Sequence, residues 1–132
     1  MKGAIIGLAA ALVVASPAAA GKLYRCTGRD VVAAEEDGTV GRTNRDFWLG
    51  YYRSFFVDTD TGSIRWSSGK LEEWLVTQKG GSSNDFVATP RSSLSGASTD
   101  FIRVTGWERR PSVTFLVFRL SMMITGTCEV AQ

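Results

Sequence analysis

The chain has 132 residues, with 15 lysine and arginine residues, 13 aspartate and glutamate residues, and no histidine. The absence of histidine excludes a His-dependent catalytic triad, a His-ligated haem and a His-containing zinc site. The net charge of +2, with both signs interspersed along the chain, gives no reason to expect a nucleic acid as partner.

The first twenty residues have the pattern of a secretory signal peptide. Lys2 precedes an apolar run over 4–15, and Pro17 and three alanines follow it. The run is shorter than the roughly 20 residues that cross a bilayer, and small residues suit a signal peptidase site. The sequence therefore predicts cleavage between Ala20 and Gly21 and export by the general secretory route. We expect a periplasmic or secreted mature protein with no membrane span.

Two cysteines, Cys26 and Cys128, lie near the two ends of the mature chain. An even number of cysteines in an exported protein usually means disulfides, and two cysteines allow a single pairing. A redox or metal-binding pair of thiols would need a Cys-x-x-Cys spacing or further ligands that the chain lacks. We therefore predict a Cys26–Cys128 disulfide, with the first and last strands side by side. Residues 21–132 are expected to form one domain and a monomer.

Most of the mature chain is predicted to form short β-strands separated by turns. The expected strand segments are 22–27, 30–34, 39–40, 55–57, 63–66, 73–79, 84–89 and 99–107. Pro90 should end the strand before it, because it lacks the N–H that a ladder requires. The segment 112–130 is expected to form two strands that meet near Arg119. Its alternating apolar residues predict one inward face, made of Leu116, Phe118, Leu120, Met122, Ile124 and Cys128.

The stretch 44–52 is ambiguous between helix and strand. Thr43 and Asp46 have the spacing of a capping box, and Phe47 and Tyr51 are four residues apart, as on one face of a helix. The density of aromatic residues favours a strand instead. We predict a short helix over 44–51.

About eight short strands with regular turns predict a small closed or nearly closed antiparallel barrel, with a β-sandwich as the alternative. The predicted disulfide holds the first and last strands side by side. This favours closure of the sheet, since a barrel leaves no exposed edge. The layout resembles the small up-and-down barrels of the calycin type at the level of fold. It has no signature residues of lipocalins or avidins, and fold alone does not define function.

Two motifs invite a chemical interpretation. Asp58, Asp60 and Gly62 resemble the start of a calcium loop, but the remaining oxygen ligands of an EF-hand are missing, so we predict a hairpin turn. Ser67 and Lys70 have the Ser-x-x-Lys spacing of penicillin-binding enzymes, but the third motif of those enzymes is absent. A small serine hydrolase is therefore only a remote alternative. We expect no enzyme, no cofactor and no metal.

Two adjacent carboxylate pairs, Glu35-Glu36 and Glu72-Glu73, are formal candidates for acid–base chemistry. Neighbouring residues on a strand point to opposite faces and would not share a substrate. We predict that all four are solvated charges in turns.

Aromatic residues are frequent over 47–56 and at strand ends. Most are expected in the core, and exposed ones would mark a contact patch. We predict a non-enzymatic exported domain that binds a small apolar molecule or an envelope protein at an aromatic-lined barrel mouth. The alternative is a protein-interaction or inhibitor module that presents residues 91–98 as an exposed loop. The candidate contact residues are Trp48, Tyr51, Tyr52, Trp66 and Trp107.

Overall fold

The structure is a computed structural model that describes residues 21–42, 44–91, 100–106 and 112–131. The predicted signal peptide (1–20), Thr43 of the capping box, residues 92–98 of the predicted loop and Trp107 lie outside these ranges. The elements are β1 (Leu23–Ala34), β2 (Val40–Gly41), α1 (Arg45–Tyr51), β3 (Phe55–Asp58), β4 (Ser63–Arg65), β5 (Leu71–Gln78), β6 (Phe86–Pro90), β7 (Phe101–Thr105), β8 (Val113–Arg119) and β9 (Met122–Val130).

The strands form one antiparallel sheet in the order β2-β1-β3-β4-β5-β6-β7-β8-β9, and β1 also pairs with β9. That last pairing closes eight strands into a barrel and leaves β2 as an extra strand beside β1. The predicted closed barrel is confirmed, and the chain does not form the two packed sheets of a sandwich. No helix within the described ranges is long and apolar enough to cross a membrane.

The β1 strand is longer than the sequence predicts. The segments expected at 22–27 and 30–34 are one strand, with an irregularity between Gly28 and Asp30 where its pairing to β9 shifts. A β-bulge absorbs the extra residue and bends the strand, so no turn is needed there. At the same point the Gly28 N–H donates to the Tyr52 carbonyl at 2.8 Å. A Cβ on residue 28 would lie 2.8 Å from that oxygen, which explains why glycine stands there.

The predicted disulfide between Cys26 and Cys128 is confirmed. The two cysteines lie directly opposite each other in the register of β1 and β9, and Cys26 is fully buried. The bridge therefore crosses the seam at which the barrel closes.

Side chains of the barrel itself fill its interior. Phe55 on β3 and Phe115 on β8 meet edge to face, with ring centroids 4.9 Å apart, although their strands are not neighbours in the sheet. Such contacts cross the interior of the barrel. The largest fully buried side chains include Trp74, Phe55, Phe86, Ile64, Ile102 and Ile124.

The predicted inward face of β8 is wrong. Phe115 and Val117 are buried, whereas Leu116 and Phe118 are only half-buried, and Phe118 stacks on Phe101 of β7. The reason is the two-residue turn between β8 and β9. Because Arg119 pairs with Met122, the inward residues change from odd numbers on β8 to even numbers on β9. The predicted alternation continued straight through this turn, so it was wrong for Leu116, Phe118 and the exposed Leu120. It was correct for β9, where Met122 and Ile124 are buried and the half-buried Cys128 packs against the core.

The predicted hairpin between β3 and β4 is confirmed. A carboxylate oxygen of Asp58 accepts hydrogen bonds from the N–H groups of Asp60, at 2.8 Å, and Thr61, at 3.2 Å. Gly62 has φ of 78°, a left-handed conformation that glycine adopts without strain. The motif that resembles a calcium loop is thus an Asx-stabilised turn.

The predicted helix is confirmed as α1, but the predicted capping box is wrong. Asn44 occupies the N-cap position with φ of 57°, and no side chain caps the helix there. Farther along the chain, β6 ends at Pro90 as expected.

Candidate functional site

None of the residues of helix α1 is fully buried, but its Trp48 and Leu49 pack against the core, and ion pairs and a backbone hydrogen bond add to its attachment. Its Arg45 Nε lies 2.8 Å from Asp30 of β1, and Arg42 Nη2 lies 2.9 Å from the same carboxylate. The hydrogen bond from Arg45, together with the nearby arginine charges, holds the pKa of Asp30 below its usual value. These contacts, with the Gly28–Tyr52 hydrogen bond, place α1 across one end of the barrel.

Ser67 joins the segment after α1 to the end of β4. Its hydroxyl lies 2.7 Å from the Tyr51 carbonyl and 2.8 Å from the Ser54 carbonyl, and it accepts a hydrogen bond from the Ser54 N–H. Lys70 contacts the carboxylate of Glu72 at 2.8 Å. Both residues of the Ser-x-x-Lys motif are therefore engaged with other groups.

A pocket of about 330 Å³ opens between α1 and this end of the barrel. The structure brings four of the five predicted contact residues together in its lining: Trp48, Tyr51, Tyr52 and Trp66. The fifth, Trp107, lies outside the described residues. A different pocket, of about 390 Å³, includes Lys22 and the β5–β6 turn at the opposite end of the barrel. The pocket at the α1 end is therefore the candidate for the predicted aromatic mouth.

The aromatic rings of the pocket belong to two groups. On α1, Trp48 and Tyr51 lie 5.9 Å apart and both contact Phe47. On the barrel, Tyr52 and Trp66 meet edge to face at 5.4 Å. Tyr52 is buried, whereas Phe47 is 60 % and Tyr51 is 52 % exposed. The aromatic run is therefore divided between core and surface.

Leu120 completes the rim of the pocket. It lies in the turn between β8 and β9, is 53 % exposed and has φ of 50°. A left-handed conformation costs a non-glycine residue about 1 kcal/mol or more, and an exposed leucine gains nothing from burial. Ser121 also has a positive φ, of 68°, and two consecutive positive φ values are what a two-residue hairpin turn between β8 and β9 requires.

Glu72 is the acidic group of the pocket. Its side chain is mostly buried, and it accepts hydrogen bonds from Lys70 and, at 3.0 Å, from Trp74 Nε1. Burial raises the pKa of Glu72, but the hydrogen bonds and the charge of Lys70 outweigh burial and hold it below the usual 4.5. The Trp66 indole also lowers this pKa, yet its buried Nε1 is not in hydrogen-bond geometry with any acceptor among the described residues.

Arg119 is the second basic group of the pocket. Its Nε lies 3.4 Å from Asp100 Oδ2, and the Asp100 side chain is almost completely buried. Burial raises the pKa of Tyr52, and the positive charge of Arg119 offsets part of that effect. Lys70 and Arg119 therefore each pair with a carboxylate, and the charged groups at this end of the barrel balance.

The low pKa of Glu72 gives a prediction for stability in acid. A carboxyl whose pKa is lower in the folded protein stabilises it above the unfolded value of 4.5, and that contribution is lost as the pH falls through the folded pKa. Between about pH 6 and pH 3, we expect Glu72→Gln to show a smaller fall in the free energy of unfolding than the wild type. Urea unfolding at each pH measures this. The exposed neighbour Glu73→Gln is the control, and equal slopes for wild type and Glu72→Gln would contradict the prediction.

The sequence alone did not predict that the polar residues Lys70, Glu72 and Arg119 would line the pocket. Glu72 was predicted as a solvated turn charge, but it lies on β5 and is mostly buried. The sequence carries one signal for the burial of Glu72. Glu72 and the buried Trp74 are two residues apart on a strand, and such residues lie on the same face. Arg119 gives no comparable local signal, because its role depends on the pairing of β8 and on Asp100.

The fold and the pocket define a small closed antiparallel β-barrel with a filled interior and an aromatic pocket at one end. Searches of protein-family models, curated proteins and solved structures find no match to this chain. Within the described part of the chain, no cluster of three or more cysteine and carboxylate side chains is placed to hold a metal ion.

Proposed function

We propose that this protein is an exported, non-enzymatic binding protein and that its aromatic pocket holds a small molecule with a largely apolar body. One observation carries the proposal. The short helix α1 buries none of its residues completely and presents Phe47, Trp48 and Tyr51 beside an open pocket. Seven residues are too few for a helix to be stable by itself, so its exposed rings suggest selection for contact with a ligand.

The size and position of the pocket support a small ligand at the end of the barrel. Small-molecule sites usually occupy about 300–1,000 Å³, and a few polar groups orient the ligand between apolar walls. A volume of about 330 Å³ suits a molecule with one or two rings. Because side chains fill the barrel interior, the ligand would bind under α1 and not in the lumen.

Two further observations support the remaining parts of the proposal. The Cys26–Cys128 disulfide suits an oxidising compartment, in agreement with export of the mature chain to the periplasm or the medium. The contacts of Ser67 with backbone carbonyls suit a structural hydroxyl and not an activated nucleophile.

The proposal predicts that the mature protein binds the neutral dye N-phenylnaphthylamine, with an increase in dye fluorescence. The double variant Trp48→Ala/Tyr51→Ala should weaken this binding at least about tenfold, because it removes the α1 wall of the pocket. Leu75→Ala is the matched control, since Leu75 is 50 % exposed on β5 and does not line the pocket.

Titration of the dye with each variant measures the dissociation constants, and circular dichroism checks that each variant is folded. Unchanged binding by the folded double variant would contradict the proposal. The absence of dye binding to the wild type would also contradict it, and would favour a protein partner for the exposed rim.

A further inference from the structure

We infer that the ligand of the aromatic pocket carries a hydrogen-bond acceptor, best a carboxylate, at the end of its apolar body that enters the pocket. This inference rests on the proposed function and adds the chemical class of the ligand. It follows from the polar atoms of the pocket that remain free once the internal hydrogen bonds and ion pairs have been assigned.

Glu72, the carboxylate that lines the pocket, already has a partner at each oxygen. One carboxylate oxygen of Glu72 contacts Lys70 Nζ at 2.8 Å, and the other accepts from Trp74 Nε1 at 3.0 Å. Asp100 retains a buried oxygen without a partner among the described residues, but Asp100 does not line the pocket. A ligand donor at Glu72 would therefore share an oxygen that already has a partner.

Donors remain in the pocket. Trp66 Nε1 is buried and has no partner among the described residues, and an indole nitrogen can only donate. Arg119 directs its Nε toward Asp100 and also interacts with Tyr52, and the five N–H groups of its guanidinium outnumber these two contacts. An unpaired buried donor costs about 1–3 kcal/mol, and a ligand acceptor would remove that cost.

The aromatic walls by themselves would also suit a cation, because a cation is attracted to the faces of tryptophan and tyrosine rings. The charges beside those walls favour the acceptor. Lys70 and Arg119 both line the pocket, whereas of their carboxylate partners only Glu72 does, so a ligand meets two cationic groups and one carboxylate. The polar end of the pocket thus favours an anionic or neutral acceptor over a cation.

Three compounds that share one apolar body test this inference: hydrocinnamate, its neutral amide, and phenylpropylamine. Displacement of N-phenylnaphthylamine from the mature wild-type protein at neutral pH gives their relative affinities. We expect hydrocinnamate to bind tightest, the amide next and the amine weakest, with hydrocinnamate at least about tenfold tighter than the amine. An amine that binds as tightly as hydrocinnamate would overturn the inference.

Trp66→Phe keeps a ring in the wall and removes only the N–H. It should lower the ratio of the affinities for hydrocinnamate and phenylpropylamine about tenfold, because only the carboxylate uses the N–H. Leu75→Ala, outside the pocket, is the control and should leave this ratio unchanged. Arg119→Lys, which keeps a charge beside Asp100, should also weaken hydrocinnamate more than the dye.

The results separate the two proposals. Dye binding that depends on Trp48 and Tyr51, without a preference for the carboxylate, would overturn the ligand class and leave the proposed function standing. If the wild-type protein binds neither the dye nor any of the three compounds, both proposals are overturned. If folded Trp66→Phe and Arg119→Lys keep the full preference for hydrocinnamate, the assignment of the donors is wrong.

Discussion

Replacement of both cysteines by alanine is expected to lower the free energy of unfolding by about 4–5 kcal/mol, the largest effect of any change considered. The bridge joins residues separated by 102 positions, so its loss releases almost the whole barrel domain in the unfolded state. A small domain has a total stability of about 5–15 kcal/mol, and the double variant would therefore be close to unfolding at room temperature. Alanine is chosen because Cys26 is fully buried, and serine would add an unpaired hydroxyl.

Urea unfolding of the oxidised wild type and of Cys26→Ala/Cys128→Ala measures the difference. The reduced and alkylated wild type is not a suitable reference, because a blocking group would not fit beside the buried Cys26. The reduced wild type, kept in reductant, is the appropriate control and should match the double variant to within about 1 kcal/mol. A loss below about 1 kcal/mol in the double variant would show that the pairing of β1 and β9 closes the barrel without the bridge.

Phe55→Ala is expected to lower the free energy of unfolding by about 3–5 kcal/mol. Phe55 is completely buried, and its ring contacts Phe115 across the barrel and Tyr52 and Trp66 at the α1 end. The substitution leaves a cavity that the closed sheet cannot easily collapse, since the surrounding strands are held in register.

Phe47→Ala is the matched control, because it makes the same chemical change on the exposed face of α1. Its expected effect on stability is below about 0.5 kcal/mol. Thermal and urea unfolding of both variants test the pair of predictions. Similar losses of stability for Phe55→Ala and Phe47→Ala would contradict the separation of the aromatic run into core and surface.

The pocket is an extension of the core. Phe55 supports Tyr52 and Trp66 from inside the barrel, while Asp30 and Arg45 hold α1 from outside. The barrel wall of the pocket therefore rests on the core. Its helical wall is held by half-exposed ion pairs, which contribute little stability each, and by the packing of Trp48 and Leu49 against the core. Ligand contacts on both walls would add to the attachment of α1 to the barrel.

Several features of this protein follow from the sequence alone. Turn chemistry is local, so the Asp58–Gly62 hairpin and the strand end at Pro90 are visible in a few consecutive residues. The cysteine pairing was predictable because two cysteines allow one disulfide, and closure of the barrel followed from it. The aromatic candidates Trp48, Tyr51, Tyr52 and Trp66 were predictable as a set because they are close in the chain or at strand ends.

The tertiary structure alone decided the inward face of β8 and the polar half of the pocket. The face depends on the number of residues in one turn, because a two-residue turn reverses the parity that a continuous alternation predicts. Lys70, Glu72 and Arg119 line one pocket only because the start of β5 and the end of β8 lie at the same opening of a closed barrel. Proximity across a barrel is a long-range property, and no local period in the sequence encodes it.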